Sequence, residues 1–494
     1  MKILTRQHEI YAARVEQLQR NTLALRGGQP YINARLWRAP NESSLSWTGN
    51  GAVVGRRDRA ALVNDAGRVA GKIGQYLFKT PTKRDGIGEE WAKDVNGHGQ
   101  SINLWWMDLS DYLTAGQWVW VNVDRLAPLM IDGVARQRTI AEQRRDGDFV
   151  RWTIWPSISV PDWSYGEDGK LNWLITESMD YDNSDPFTEP TKRRLRTLWQ
   201  RVDGRVEIRV YAEKAGTSGG AEVLREATLG LAYIPFVLVG RPSAEPWWYD
   251  DVELMQAQVM NLDSLHIDNL VKTVFPQLVI PASMLNELET KLIERSGINH
   301  GETIMEAVRE VVRGLDHPLV EASEDKGTTR FLQPSGSELN VLSLEMERKR
   351  RLLFDVAGLS LFTKETRQIQ TAESKQFDQL DTESTLQHRA VILQEAERRL
   401  VEFSKLIDPN FSEYDPVWPN SFDVVDIEAE ASTISMIAQM PRRTNAMDKM
   451  AMLASVRVLE SMGGIDQELI DEARQEIEEY EAPKFEEFYP MGSE

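Results

Sequence analysis

Few residues in this chain could do chemistry, and where they occur their spacing argues against it. A loop that cradles nucleotide phosphates has the form GxxxxGK[ST], with glycines that let backbone N–H groups converge and a hydroxyl for magnesium. The nearest string, Gly67-Arg68-Val69-Ala70-Gly71-Lys72-Ile73, is one residue short, lacks the hydroxyl and falls inside an expected helix. Asp180-Tyr181-Asp182-Asn183-Ser184-Asp185 begins like a calcium loop. Pro186 follows, however, and Thr191 stands where a bidentate Glu is needed, so a solvated turn is expected. The six histidines, His8, His98, His266, His300, His317 and His388, show no i, i+4 pairing and no HExxH, which leaves zinc catalysis without support. His266 reads as a packed histidine on an apolar helix. Cysteine is absent, which removes disulfides, thiolate metal ligation and a thiol nucleophile, and there is no GxSxG. The expectation is no catalytic residue, no metal, no cofactor and no enzymatic activity.

Composition bounds what else the chain can be. Its 494 residues suffice for two to four regions, and 41% hydrophobic with 27% charged residues is ordinary for a folded protein. The net charge of -20 argues against wrapping nucleic acid by general phosphate neutralisation. From Asp408 to Glu494 there are 20 acidic and 6 basic residues, so much of the excess lies at the C-terminal end, where a solvated acidic helical segment is the simplest reading. The N-terminal stretch lacks the apolar run of a signal peptide. No later stretch approaches 18 consecutive apolar residues, so a soluble, unexported protein with no membrane association is expected.

Periodicity predicts the elements that must position anything functional. The first 25 residues read as a helix stopped by Gly27 and Gly28, followed by a loop to Gly55. Helices are expected over 59–77 and 102–113, then a strand over 117–123. From Phe149 to Gly240 the period becomes two, with Asp168-Gly169 and Asp203-Gly204 as turn signals, which predicts a mostly antiparallel sheet whose tryptophans form a buried face. A helix of about 25 residues over 247–271 carries Val252, Met255, Val259 and Leu262 on one wide apolar stripe. A strand over 277–281, helices over 285–295 and 302–312, and a hairpin-like pair over 319–333 follow. Further long helices are expected over 337–357 and 371–406, then shorter acidic helices broken at Pro441 and Gly463-Gly464.

This order of elements resembles that of the portal proteins of tailed bacteriophages. Several strings agree: Asn64-Asp65-Ala66-Gly67-Arg68-Val69 through Leu77-Phe78-Lys79-Thr80-Pro81, the Phe149–Trp163 passage with Asp168-Gly169-Lys170-Leu171, Ile234-Pro235-Phe236 before the first long helix, and Phe331-Leu332-Gln333-Pro334-Ser335-Gly336-Ser337-Glu338-Leu339 before the second. The resemblance spans roughly residues 55–406, and its weight lies in the sum.

What the resemblance implies is an α+β portal fold in a ring oligomer, usually a dodecamer. A mixed wing would take residues 1–240, a first stem helix 241–272, a small α/β clip 273–336, a second stem helix 337–357, a tunnel loop 358–370, a long wing helix and following segment 371–426, and an acidic helical crown and tail 427–494. The ring would sit at one capsid vertex of the virion, reached from the host cytoplasm during assembly. It would pass double-stranded DNA in packaging and ejection, and dock the terminase large subunit, the major capsid protein and head-completion or adaptor proteins. Val252, Met255, Val259 and Leu262 would pack the stem. Thr363, Lys364, Glu365, Thr366, Arg367 and Gln368 would face DNA, although Lys364 and Arg367 read equally as solvated loop charges. Arg348, Lys349, Arg350 and Arg351 would line the lumen or pair with a neighbouring subunit. Pairing is preferred, because one helix cannot point four successive residues to one side. The alternative is another virion assembly adaptor without a DNA channel, with an unrecognised hydrolase further off.

Overall fold

The computed structural model describes residues 2–39, 42, 47–48, 54–125, 129–131, 134–136, 148–182, 191–213, 221–274, 277–281, 319–321, 330–332, 336–359, 372–419, 422, 434–437, 445–462 and 467–480. The chain divides into two units, 1–420 and 421–494. The architecture is mixed α+β.

In the first unit, α1 (Glu9–Arg26) starts at His8, whose Nδ1 accepts from the N–H of Ile10 and whose ring stacks on Trp163 with centroids 4.1 Å apart. Gly27, at φ 66°, turns the chain directly into α2 (Gly28–Arg35). The expected loop from Gly27 to Gly55 is therefore partly helical: Pro30 lies in the first turn, where a missing N–H costs nothing. The helix expected over 59–77 is also shorter. It is α3 (Asp65–Leu77), capped by Asn64, whose side chain accepts from the N–H of Gly67, while Arg56–Arg59 forms a separate turn. Ala66, Val69, Ala70, Ile73 and Leu77 put one face of α3 into the core, against α4 (Ile102–Gly116).

The strands form two larger antiparallel sheets. In one, β1 (Trp118–Asp124) lies between β10 (Phe236–Gly240) and β4 (Arg151–Pro156), while β2 (Leu129–Ile131) and β3 (Val134–Arg136) make a separate pair. Trp118 to Val123 are all buried, because this strand is covered on both faces. The other is a five-stranded meander of β5 (Asp162–Tyr165), β6 (Leu171–Asp182), β7 (Thr191–Val202), β8 (Arg205–Glu213) and β9 (Ala221–Leu229). The two-residue connection of β7 to β8 is Asp203-Gly204, at φ 47° and 74°, the left-handed pair that a tight hairpin needs. As expected, the tryptophans are core: Trp118, Trp120 and Trp163 join Tyr11, Leu18, Leu174 and Phe236 in one cluster.

Three long helices follow: α5 (Trp248–Val274), α6 (Ser337–Val356) and α7 (Ala372–Ile407). At 1.5 Å per residue they run about 40, 30 and 54 Å. Between α5 and α6 stand β11 (Gln277–Pro281), β12 (Leu319–Glu321) and β13 (Arg330–Leu332). The expected hairpin over 319–333 is not one. β12 and β13 flank β11 on opposite sides, β12 parallel and β13 antiparallel to it, so β11 takes a partner on each edge. The helices expected over 285–295 and 302–312 lie outside the described residues.

The second unit contains α8 (Asn445–Met462) and α9 (Gln467–Glu479), packed through Val456, Ile470 and Ile477. Lys449 Nζ donates to the carbonyl of Glu478 at 2.7 Å. Pro441 and Gly463-Gly464 lie outside the described residues. Among the described residues no helix is long and apolar enough to cross a membrane.

Candidate functional site

The feature that stands out from a compact fold is the helical hairpin of α5 and α6. β11 begins two residues after α5 and β13 ends four residues before α6, and these strands pair antiparallel. Both helices therefore join the same end of one small sheet, run antiparallel and pack along each other.

The residues expected to pack the stem do so unequally. Val252 and Val259 are buried within the subunit, whereas Met255 and Leu262 are half-buried. Substituting Val259 would therefore damage the subunit's own core and could not report on a neighbour. Other apolar side chains are left uncovered, among them Leu254, Leu270 and Val271 on α5 and Val341, Leu344 and Val356 on α6, with Val341 and Leu344 66% and 67% exposed. Thr363, Lys364, Glu365, Thr366, Arg367 and Gln368 lie outside the described residues.

The inner face of α5 is polar, which periodicity does not reveal. Asp250, Glu253, Gln256, Asn261, Ser264 and Asp268 recur at helical spacing and are taken up by the N-terminal 68 residues. Arg14 binds Asp250 with two nitrogens, at 2.5 and 2.9 Å, and Asn21 adds a third hydrogen bond to the same carboxylate. Glu253, 1% exposed, accepts from Arg35 and from the hydroxyl of Tyr31. Burial and the Glu253 charge hold the Tyr31 phenol far above its usual range. Gln256 accepts from the N–H of Ala66 and donates to Asn64, so the cap of α3 is fixed on α5. Asn261 accepts from the N–H of Trp37 and donates to the carbonyl of Arg35.

Farther along, Arg56 is wholly buried. It grips Glu42 with two nitrogens at 2.9 Å, donates to Ser264 and lies 4.9 Å from the ring centre of Trp47. The hydrogen bonds from Arg56 hold the Glu42 carboxyl below its usual range. Arg59 reaches Asp268 at 2.8 Å. These contacts clamp an N-terminal strap along most of the helix. The sequence signal was available in principle, as arginines at 14, 35, 56 and 59 facing acids or hydroxyls at 250, 253, 264 and 268, but nothing in the spacing says which pairs meet.

The four basic residues of α6 all have acidic partners within the subunit. Arg348 and Lys349 pair with Glu345, Arg351 with Glu347, and Arg350 with Asp65 of α3 at 3.2 Å. Helical spacing gives three of them an acid on their own helix.

α7 is anchored to the sheet core by buried polar groups. Glu397 accepts from Arg84, Tyr414 and the indole of Trp418, and Ser404 accepts from the indole of Trp152. Arg389, fully buried, donates to Thr114, and burial lowers its pKa to about 10. Burial raises that of nearby Asp111 to about 6, with Asp108 adding to the shift and Arg389 opposing it. A groove beside α7 is lined by Gln387, Ala390, Val391, Gln394, Trp418 and Pro419, none of which titrates or attacks. Among the described residues no group of three or more His, Asp or Glu could hold a metal ion.

No family model matches the chain, and no curated protein matches it. Among solved structures, one described as the neck of an empty GTA particle computed with C6 symmetry aligns with 85% of this chain and 96% of that chain, at 10% identity and a TM-score of 0.33.

Proposed function

We propose that this chain is the portal protein of a tailed bacteriophage, a structural subunit that forms a ring around a DNA channel at one capsid vertex. In this reading it carries out no catalysis. It conducts the genome in packaging and ejection, and docks the terminase and head-completion proteins. The observation that carries the proposal is the antiparallel hairpin of α5 and α6 with a small sheet at its tip and exposed apolar side chains along its length. A helix leaves such a stripe uncovered where a neighbouring copy is to cover it. The order of elements and the quoted strings, which resemble the portal family, support the same reading.

The channel wall must hold DNA weakly enough for it to slide, which suits an acidic chain with a few placed cations better than a basic groove. The segment between α6 and α7 contains Lys364 and Arg367 and is the one this proposal places against DNA. Deleting Thr363 to Gln368 is expected to leave rings assembled and to reduce genome filling of proheads, while Ala at Lys364 and Arg367 together has a milder effect, because each sliding contact is weak. Normal filling by intact mutant rings would place the tunnel elsewhere.

A further inference from the structure

Four helices of the first unit meet around a carboxylate that the fold does not satisfy. Asp111 of α4 is half-buried, yet among the described residues it accepts no hydrogen bond and makes no ion pair. Each element packed around it brings little. α3 offers Gly74, where an added Cβ would stand 3.8 Å from a carboxylate oxygen. α5 offers Tyr249, whose hydroxyl is committed to the carbonyl of Ala66. α1 reaches this part of α4 with Arg26, which goes to the hydroxyl of Tyr112. One turn back on α4 stands a second acid, Asp108, held by Gln100. The cation that acts on Asp111 is Arg389 of α7, and it gives its hydrogen bond to Thr114 instead, at 2.9 Å.

Ser110, Asp111 and Thr114 share one side of α4 by their spacing. The Ser110 hydroxyl is buried and has no partner among the described residues. α4 thus carries two hydroxyls and a carboxylate beside the buried guanidinium of α7, and Thr114 alone is bonded to it. Such a carboxylate keeps its proton longer than one in water. Burial penalises its charge, Asp108 repels it, and Arg389 offsets this only in part, so its pKa rises from 3.8 to about 6. Because the folded value lies above the unfolded one, protonation favours the folded state. The charged form costs stability in full above pH 6, and that cost shrinks as the pH falls from about 6 to 3.8.

We propose that Asp111, Arg389 and Thr114 form a proton-operated latch between α4 and α7. Protonated, Asp111 is a neutral group that the junction tolerates, and Arg389 stays on Thr114. Ionised, the carboxylate is satisfied by admitting water or by drawing Arg389 off Thr114, and either loosens α7 on α4. The latch is tight in mild acid and loose at neutral pH and above, the reverse of ordinary acid denaturation.

The test compares the full-length protein with Asp111→Asn, which keeps the shape of the side chain and removes its charge. The variant is expected to melt about 3 to 6 °C higher near pH 8, and this gain should shrink to about half near pH 5. Glu42, Asp168, Glu345 and Asp415 are each held below the usual range by an arginine and pull both proteins the other way, so the difference between the two isolates Asp111. Asp108→Asn, which removes only the repulsion, should give a smaller gain in the same direction. Near pH 8, Asp111→Asn should also slow hydrogen exchange about threefold or more in peptides from α4 and the middle of α7, and leave α8 and α9 unchanged. A gain of equal size at both pH values would mean that Asn merely packs better and would overturn the latch. A loss of stability near pH 8, or exchange that does not slow in α4 and α7, would overturn it as well.

Discussion

Asp at both Val341 and Leu344 is expected to abolish ring assembly while leaving the subunit folded. Both side chains are two-thirds exposed on α6, so neither contributes to the subunit's own core, and they lie three residues apart on one helix face. In a ring each would be buried against the neighbouring copy. Losing two such contacts forfeits about 1.5 to 3 kcal/mol apiece. Moving two carboxylates without partners out of water adds several more. Because a closed ring repeats the contact at every interface, the loss is paid around the whole circle and assembly fails altogether. Sedimentation velocity should find a single slow species whose circular dichroism and melting temperature match those of the unaltered chain. Rings of normal size would mean that this stripe lies outside the interface.

The second large effect concerns the strap. Arg56→Ala is expected to destabilise the first unit by about 3 to 5 kcal/mol, the usual cost of leaving one partner of a buried ion pair alone. Arg56 and Glu42 are both nearly inaccessible, at 2% and 7% side-chain exposure, and the guanidinium also holds Ser264 and the carbonyl of Trp37. Glu42→Ala should cost a similar amount. Arg56→Ala combined with Glu42→Ala should cost clearly less than the sum, because no lone charge remains buried. Urea unfolding of the four proteins gives the coupling directly. A loss below about 1 kcal/mol in Arg56→Ala would show that the strap is held by other contacts.

How much of this was legible depends on the range of the interaction. The three long helices were read within a few residues of their ends, because apolar residues at helical spacing reflect a local rule. The Asp203-Gly204 hairpin was legible for the same reason: the backbone conformation of two residues decides it. α2 was missed because two glycines and Pro30 look like a loop, although Gly27 alone makes the bend and Pro30 suits a first helical turn. The arrangement of β11, β12 and β13 is not legible because a hairpin is the local solution, whereas the partner of both outer strands lies 40 to 55 residues earlier.

The candidate site divides along the same line. Val252 and Val259 lie on an inward face of the subunit, but an apolar position alone does not say whether its cover belongs to the same chain. The ladder from Asp250 to Asp268 was invisible, because polar residues at helical spacing read as a wet face. Only the fold brings Arg14, Arg35, Arg56 and Arg59 to it across more than 200 residues. Arg348 and Arg351 had partners within one helical turn, and a count of i, i+3 and i, i+4 acids would have found Glu345 and Glu347.

The central claim is that copies of this chain close into a ring around a channel that passes duplex DNA, and imaging of the purified full-length protein by negative-stain electron microscopy tests it most directly. The portal reading predicts end-on views of closed rings, of about twelve subunits, with a central opening of about 20 to 40 Å that admits a duplex about 20 Å across. A compact monomer or dimer without an opening, at concentrations where such rings are stable, would contradict it.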